Sequence, residues 1–217
     1  MRNLTSSQCK LSAWAGIIGP ALFVIAFTIE GLLRPGYSTL KDFISALSLG
    51  SRGWVQIANF IIFGILLLLF TQGVATEFKS GKASRWGVIL LTALGICFLL
   101  SGPFIEDVSG TPFSGSSIHG ILHGIFGGIV FVVMPISCFV FLRRFREDPK
   151  WKGMKIWTLV LGIIVALGVF MMIVSIKIPT TAVYFANWNG LIQRIALVPW
   201  MIWLFVFAVG MLKRVSK

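Results

Sequence analysis

The two histidines of the chain, His119 and His123, are the residues best suited to chemistry, and four positions separate them. On a helix this spacing places both imidazoles on one face, one turn apart. Two such imidazoles can hold one metal ion, and the next ligand has to be a carboxylate because the chain has no third histidine. Zn²⁺ held by two histidines, a carboxylate and a water would form a hydrolytic centre.

Carboxylates near the histidines supply the remaining roles of such a centre. Glu106 and Asp107 precede His119 by about a dozen residues, so the chain cannot carry them far from the histidine helix. We assign Asp107 with His119 and His123 to the metal, and Asp42 and Glu106 to general acid–base catalysis. Polar residues at the same ends of the apolar segments are predicted to contact a substrate: Glu30, Tyr37, Ser45, Asn189, Gln193 and Arg194.

Two alternatives use the same histidines differently. Without a metal, both imidazoles would hydrogen-bond neighbouring helices near the membrane interface. We do not expect a bis-histidine haem, because its ligands must approach from opposite sides of the ring and both histidines here lie on one helix. A divalent metal such as zinc is therefore the cofactor to test.

The elements that must position these residues are long apolar segments. Of the 217 residues, 57% are hydrophobic and only 12% are charged, and the mean hydropathy is +0.92. Single apolar runs exceed the ~20 residues that cross a bilayer. The sequence predicts an all-α, polytopic membrane domain with six transmembrane helices. They cover about residues 11–33, 54–75, 86–104, 118–142, 156–178 and 190–212.

Charge patterning predicts the orientation of these spans. Fourteen of the 19 Lys and Arg residues fall on the side that holds both chain ends. They are Arg2, Lys10, Lys79, Lys82, Arg85, Arg143, Arg144, Arg146, Lys150, Lys152, Lys155, Lys213, Arg214 and Lys217. The positive-inside rule then places both termini in the cytoplasm and the protein in the cell membrane. This topology accounts for the net charge of +12, so membrane lipids are the expected partners and nucleic acid is not.

Three further patterns carry structural predictions. Residues 34–53 place Leu40, Phe43 and other apolar residues at helical spacing, which predicts a short interfacial amphipathic helix with Asp42 facing a cavity. Glycines along the fourth span predict a central, tightly packed helix. Trp151 and other aromatic residues near the ends of spans predict interfacial belts. The sequence does not specify an oligomeric state.

The stretch PGYSTLKDFISALSLGSRGW after the first span and the histidine-bearing fourth span resemble a prokaryotic membrane family of unknown function, DUF998. The resemblance covers nearly the whole chain and implies the six-helix fold without any chemistry. The same ISxLG-like stretch and the fourth-span histidine before GIFGGIVF are more weakly similar to the Frag/DRAM/Sfk group, which is linked to lipid handling and autophagy.

These observations predict an outward-facing polar site, capped by residues 34–53 and 105–117, that binds a lipid headgroup or another small amphiphile. A sharper version is a metal-assisted lipid hydrolase. The competing classes are a non-enzymatic lipid-binding or transport component, which would use the acids as proton or cation sites, and a purely structural membrane subunit.

Overall fold

The computed structural model describes residues 4–215, apart from the side chains of Lys82, Phe113, Lys177 and Pro179, so Arg2 and Lys217 lie outside the described residues. Seven α-helices make up the described chain, of which 80% is helical without any strand. They are α1 (Ser6–Leu33), α2 (Gly53–Glu77), α3 (Lys82–Ser101), α4 (Ile118–Glu147), α5 (Met154–Lys177), α6 (Pro179–Phe185) and α7 (Asn189–Val215). All but α6 are long and apolar enough to cross a membrane, which confirms the predicted fold class.

The six long helices form a closed ring. Each packs against its neighbours in chain order, and α7 closes the ring by packing against α1. Because the chain passes back and forth, α1, α3 and α5 end where α2, α4 and α7 begin. We call this the histidine end, and the opposite end, where α1 begins and α7 ends, the basic end.

Aromatic side chains fill the inside of the ring. Phe23, Phe63 and Phe98 contact one another near its middle, and Trp200 stacks on Phe98 with an interplanar angle of 15°. Aromatic edges and faces attract each other in such arrangements, in addition to the area they bury.

Trp151 belongs to this interior rather than to an interfacial belt. Its side chain is 1% exposed, its Nε1 donates to Glu77 Oε1 at 3.2 Å, and the Arg214 guanidinium lies 4.3 Å from its ring centroid. The short 3₁₀ helix Pro149–Trp151 folds the indole into the bundle. The prediction of a belt position was wrong here, because sequence position near a span does not say which way a loop turns.

The connection between α1 and α2, residues 34–52, is not the predicted interfacial helix. It consists of turns and one 3₁₀ helix, Ser45–Ser48, with left-handed glycines at Gly36 and Gly50. Arg34 fixes this path by donating to the carbonyl oxygens of Ala46 and Leu49. These hydrogen bonds across the connection replace the i to i−4 bonds of a helix.

Candidate ligand site

A cavity of about 170 Å³ lies inside the ring towards the histidine end. Its walls are apolar and come from every spanning helix and from the 34–52 connection. They include Phe23, Phe43, Ile44, Phe60, Phe98, Val130, Phe131, Met172, Ile176 and Leu197. An apolar cavity that carries a few polar groups is the usual form of a small-molecule site.

One side of the cavity is lined by α4 and α5, and the exposed glycines of α4 on this side indicate an opening between the two helices. These helices approach closely at Gly162, where an added Cβ would lie 3.1 Å from Cys138 Cβ. Towards the histidine end, Gly124, Gly127 and Gly128 of α4 line the cavity, and an added Cβ at any of them would meet no atom within 4 Å. The prediction that these glycines pack a central helix was therefore wrong, because they face an opening.

His123 and Gln193 form part of the polar end of the cavity. His123 Nδ1 lies 2.7 Å from the Phe104 carbonyl oxygen, which can only accept, so Nδ1 carries the proton. Gln193 Oε1 accepts from the Ile44 N–H at 2.7 Å, which orients the amide. In a neutral imidazole, Nε2 of His123 is then an acceptor, and Nε2 of Gln193 is a donor. Neither atom forms a hydrogen bond within the described chain.

His119 also contacts the loop that follows α3, since its Nδ1 lies 3.2 Å from the Pro103 carbonyl oxygen. The two histidines thus hold successive carbonyl groups just beyond the end of α3. Among residues 4–215, no three His, Cys, Asp or Glu side chains come together in a way that could hold a metal ion. Asp107, the predicted third ligand, instead accepts from the Ser117 N–H at 2.9 Å and lies against Gly120, at the start of α4.

Glu106 is tied to the cavity through Ser45. The Ser45 hydroxyl, which lines the cavity, donates to Glu106 Oε2 at 2.6 Å. Burial raises the pKa of Glu106 to about 7, the Ser45 hydrogen bond opposes this shift, and the nearby Asp107 adds to it. Glu106 therefore changes charge near neutral pH although it does not itself line the cavity.

Arg194 fastens the 34–52 connection to α7. Its guanidinium donates to Tyr37 Oη at 2.6 Å and to the carbonyl oxygens of Asp42 and Gly190. The Tyr37 hydroxyl in turn donates to the Phe43 carbonyl at 3.0 Å, and burial raises its pKa. Backbone bonds from Gly190 to Lys41 and from Leu191 to Leu40 complete the attachment.

Asp42 lies away from the cavity, contrary to the predicted orientation. Its Oδ2 accepts from the Ser38 N–H at 2.7 Å, which closes the turn over residues 38–42.

Glu30 also binds outside the cavity: Arg52 donates to both of its carboxylate oxygens, at 2.5 and 3.1 Å. Asn189 sits at the start of α7, and its buried Oδ1 has no partner within the described chain. Of the predicted site residues, only Ser45, His123 and Gln193 line the cavity.

Sequence reasoning missed Ser101 and the glycine opening as parts of the site. Ser101 ends α3, lines the cavity and is 3% exposed, with its hydroxyl donating to the Cys97 carbonyl. Ser101 stands at the end of the helix before the loop that leads to the histidines, and this sequence position could have indicated that it belongs to the site.

Comparison with protein families gives one result over most of the chain. The family described as "Protein of unknown function (DUF998)" matches residues 17–210. The chain belongs to this family. The DUF998 match extends from α1 into α7 and includes every cavity residue. No curated protein and no solved structure matches the chain.

Proposed function

We propose that this DUF998 protein binds one membrane amphiphile, with the uncharged polar end of the ligand at His123 and Gln193. The observation that carries the proposal is the cavity itself: its walls are apolar, it has one polar end, and it opens between two helices at a strip of glycines. A ligand can reach such an opening from within the bilayer without crossing water.

The polar groups select an uncharged ligand end. Among the described side chains, which do not include that of Lys177, no Lys, Arg, Asp or Glu lines the cavity. An unpaired charge there would lose its hydration without a counter-ion, which costs several kcal/mol or more. One acceptor on His123 and one donor on Gln193 match a hydroxyl group, which donates and accepts at once.

The volume limits how much of the ligand enters. A cavity of about 170 Å³ is close to the size that holds one benzene ring in a protein core. Only the polar end and the first few carbons fit. The rest of an acyl chain would leave between α4 and α5, along Gly124, Gly127 and Gly128. These glycines lie within about 15 Å of the start of α4, in one half of the bilayer.

A monoacylglycerol has these features and serves as the probe. We expect radiolabelled mono-oleoylglycerol to bind the detergent-purified protein saturably, at one molecule per chain. Gly124→Leu fills the opening and should abolish binding. Gly153→Leu is the control, because that glycine also has open surroundings but lies at the basic end. Equal binding by both variants, or tighter binding of the negatively charged oleoyl lysophosphatidic acid, would contradict the proposal.

A second candidate function, hydrolysis of an ester-bearing amphiphile, is favoured by one contact. Ser45 lines the cavity and its hydroxyl is 2.6 Å from a carboxylate whose pKa is about 7. As Ser45 Oγ attacked the ester carbonyl carbon, Glu106 would take the hydroxyl proton and return it to the departing alcohol, and a water molecule would then hydrolyse the acyl group from Ser45. A fluorophosphonate probe should then label the protein but not its Ser45→Ala variant. Absence of labelling in the wild type would leave binding as the function.

The location is part of the proposal. We infer that the protein resides in the cell membrane with both chain ends in the cytoplasm, because the basic end gathers most of the Lys and Arg residues. The cavity would then face the outer half of the bilayer.

A further inference from the structure

A cleft lies at the basic end, far from the cavity. It measures about 960 Å³ and is formed where the starts of α1 and α3 meet the end of α2. We propose that it binds the phosphate group of an anionic phospholipid. Cations, unpaired hydrogen-bond donors and an apolar wall meet there, and each contributes a separate argument.

The first argument concerns the cations of the cleft. Lys79 and Arg85 both line it and are exposed. Within residues 4–215 neither forms an ion pair, whereas Arg143 and Arg144 at the same end pair with Glu147 and Asp148. Two unpaired cations at the edge of an apolar bundle attract anionic headgroups near a membrane surface.

The second argument concerns the beginning of α3. Its N-cap is Gly81, whose φ of +93° is left-handed and whose missing side chain leaves the helix without a side-chain cap. The first N–H groups of α3 therefore have no acceptor inside the helix, and the helix dipole is positive there. Phosphate groups bind at such helix starts.

Ser84 provides an independent sign that a ligand belongs in this cleft. It is 1% exposed and lines the cleft, and its buried hydroxyl has no hydrogen-bond partner within the described chain. A Cβ added to Gly81 would lie 3.9 Å from that hydroxyl, so Ser84 Oγ sits beside the uncapped helix start. A phosphate oxygen placed there would accept from both, which would remove the cost of an unpaired buried donor.

The remaining wall indicates a lipid rather than free phosphate. Leu4, Ala75, Val88 and Ile89 line the same cleft and can contact acyl chains below a headgroup held at Lys79 and Arg85. A soluble phosphate would bind only the cations and would make no contact with these apolar side chains. It would also have to displace water from an open surface. The ligand class is therefore a phospholipid with a net negative headgroup, such as phosphatidylglycerol.

Native mass spectrometry of the full-length protein, titrated with phosphatidylglycerol or phosphatidylcholine of identical chains, tests the proposal. We expect one phosphatidylglycerol to bind at least tenfold more tightly than phosphatidylcholine. Lys79→Gln/Arg85→Gln should remove most of this preference, and Ser84→Ala should weaken binding about threefold to tenfold without affecting folding. Lys152→Gln/Lys155→Gln removes two charges from the same end, outside the cleft, and should keep the wild-type preference.

Three outcomes would overturn the assignment. Equal loss in the two double variants would mean that binding reflects only the total charge of the basic end. Wild-type affinity in Lys79→Gln/Arg85→Gln and in Ser84→Ala would exclude the cleft as the site. Full displacement of the lipid by millimolar glycerol 3-phosphate would assign the site to soluble phosphate instead. None of these results depends on ligand binding at the histidine end.

Discussion

At the residue scale, the two histidines show how one spacing serves two purposes. His119 and His123 are four residues apart, a spacing that suits a metal, but the same spacing also matches successive carbonyls beyond the end of α3. Carbonyl groups after a helix end need donors from outside the helix. The histidines provide those donors and so position the loop that carries Glu106.

The first prediction follows from this arrangement. His119→Ala/His123→Ala should loosen residues 103–107, seen as amide hydrogen exchange at least tenfold faster than in the wild type. Addition of Zn²⁺ should leave the thermal midpoint of the wild type unchanged, because no third ligand joins the pair among the described residues. Stoichiometric zinc in the purified wild type that is lost in the double variant would contradict this prediction and support the metal-assisted hydrolase hypothesis.

A second residue-scale prediction concerns Glu106. Its pKa is about 7 in the folded protein against 4.5 for the ordinary side chain, because burial disfavours the carboxylate. Below pH 4.5 the Glu106 carboxyl group is protonated in both the folded and the unfolded state, so it does not change the free energy of unfolding. As pH rises from about 4.5 to about 7, the unfolded chain ionises first, so stability falls by about 3 kcal/mol.

Glu106→Gln removes that titration and retains an oxygen that accepts from Ser45. It should be more stable than the wild type at pH 8 and should lose the fall between pH 4.5 and 7, measured by thermal unfolding in detergent. Glu147→Gln, an exposed acid at the basic end, is the control. Identical pH profiles for Glu106→Gln and the wild type would show that Glu106 is not held protonated.

At the element scale, glycines in two helices have opposite roles. Gly64 in α2 lies against α3, where an added Cβ would meet the backbone of Leu99 at 2.5–2.7 Å. Gly128 in α4 faces the opening of the cavity, where an added Cβ meets nothing within 4 Å. Small residues thus bring α2 and α3 together, whereas in α4 they keep a path open.

This contrast yields a matched pair of variants. Gly64→Ala should destabilise the protein by about 1–3 kcal/mol, because two backbones would have to separate. Gly128→Ala should be neutral or stabilising by up to about 1 kcal/mol, because alanine favours the helix. Unfolding in SDS titrations measures both. Equal destabilisation would mean that the α4 glycines pack against a partner.

At the scale of the whole molecule, the ring of six helices brings the start of α1 and the end of α7 to one side and the candidate site to the other. The final prediction concerns orientation in the cell. In a variant without native cysteines, a cysteine at Ser109 should react with an impermeant thiol reagent in intact cells, and one at Lys150 should not. Lysed cells control for reactivity. Labelling of Lys150 in intact cells would reverse the proposed topology.

The sequence by itself determined the six membrane-spanning helices and the end at which basic residues collect. Both follow from local properties: an apolar run of about 20 residues must form a helix in a bilayer, since every backbone group needs an internal partner. Residue type and position at the ends of the spans also identified three polar residues that line the cavity: Ser45, His123 and Gln193.

Only the tertiary structure decided which of these residues meet. Ser45 bonds Glu106 across 61 positions, and Ile44 bonds Gln193 across 149, so no local pattern could reveal either contact. The same holds for Asp42 and Glu30, whose carboxylates are taken by Ser38 and Arg52. The divergence of α4 from α5 likewise depends on how six helices close into a ring, and that closure turned a strip of glycines into an opening.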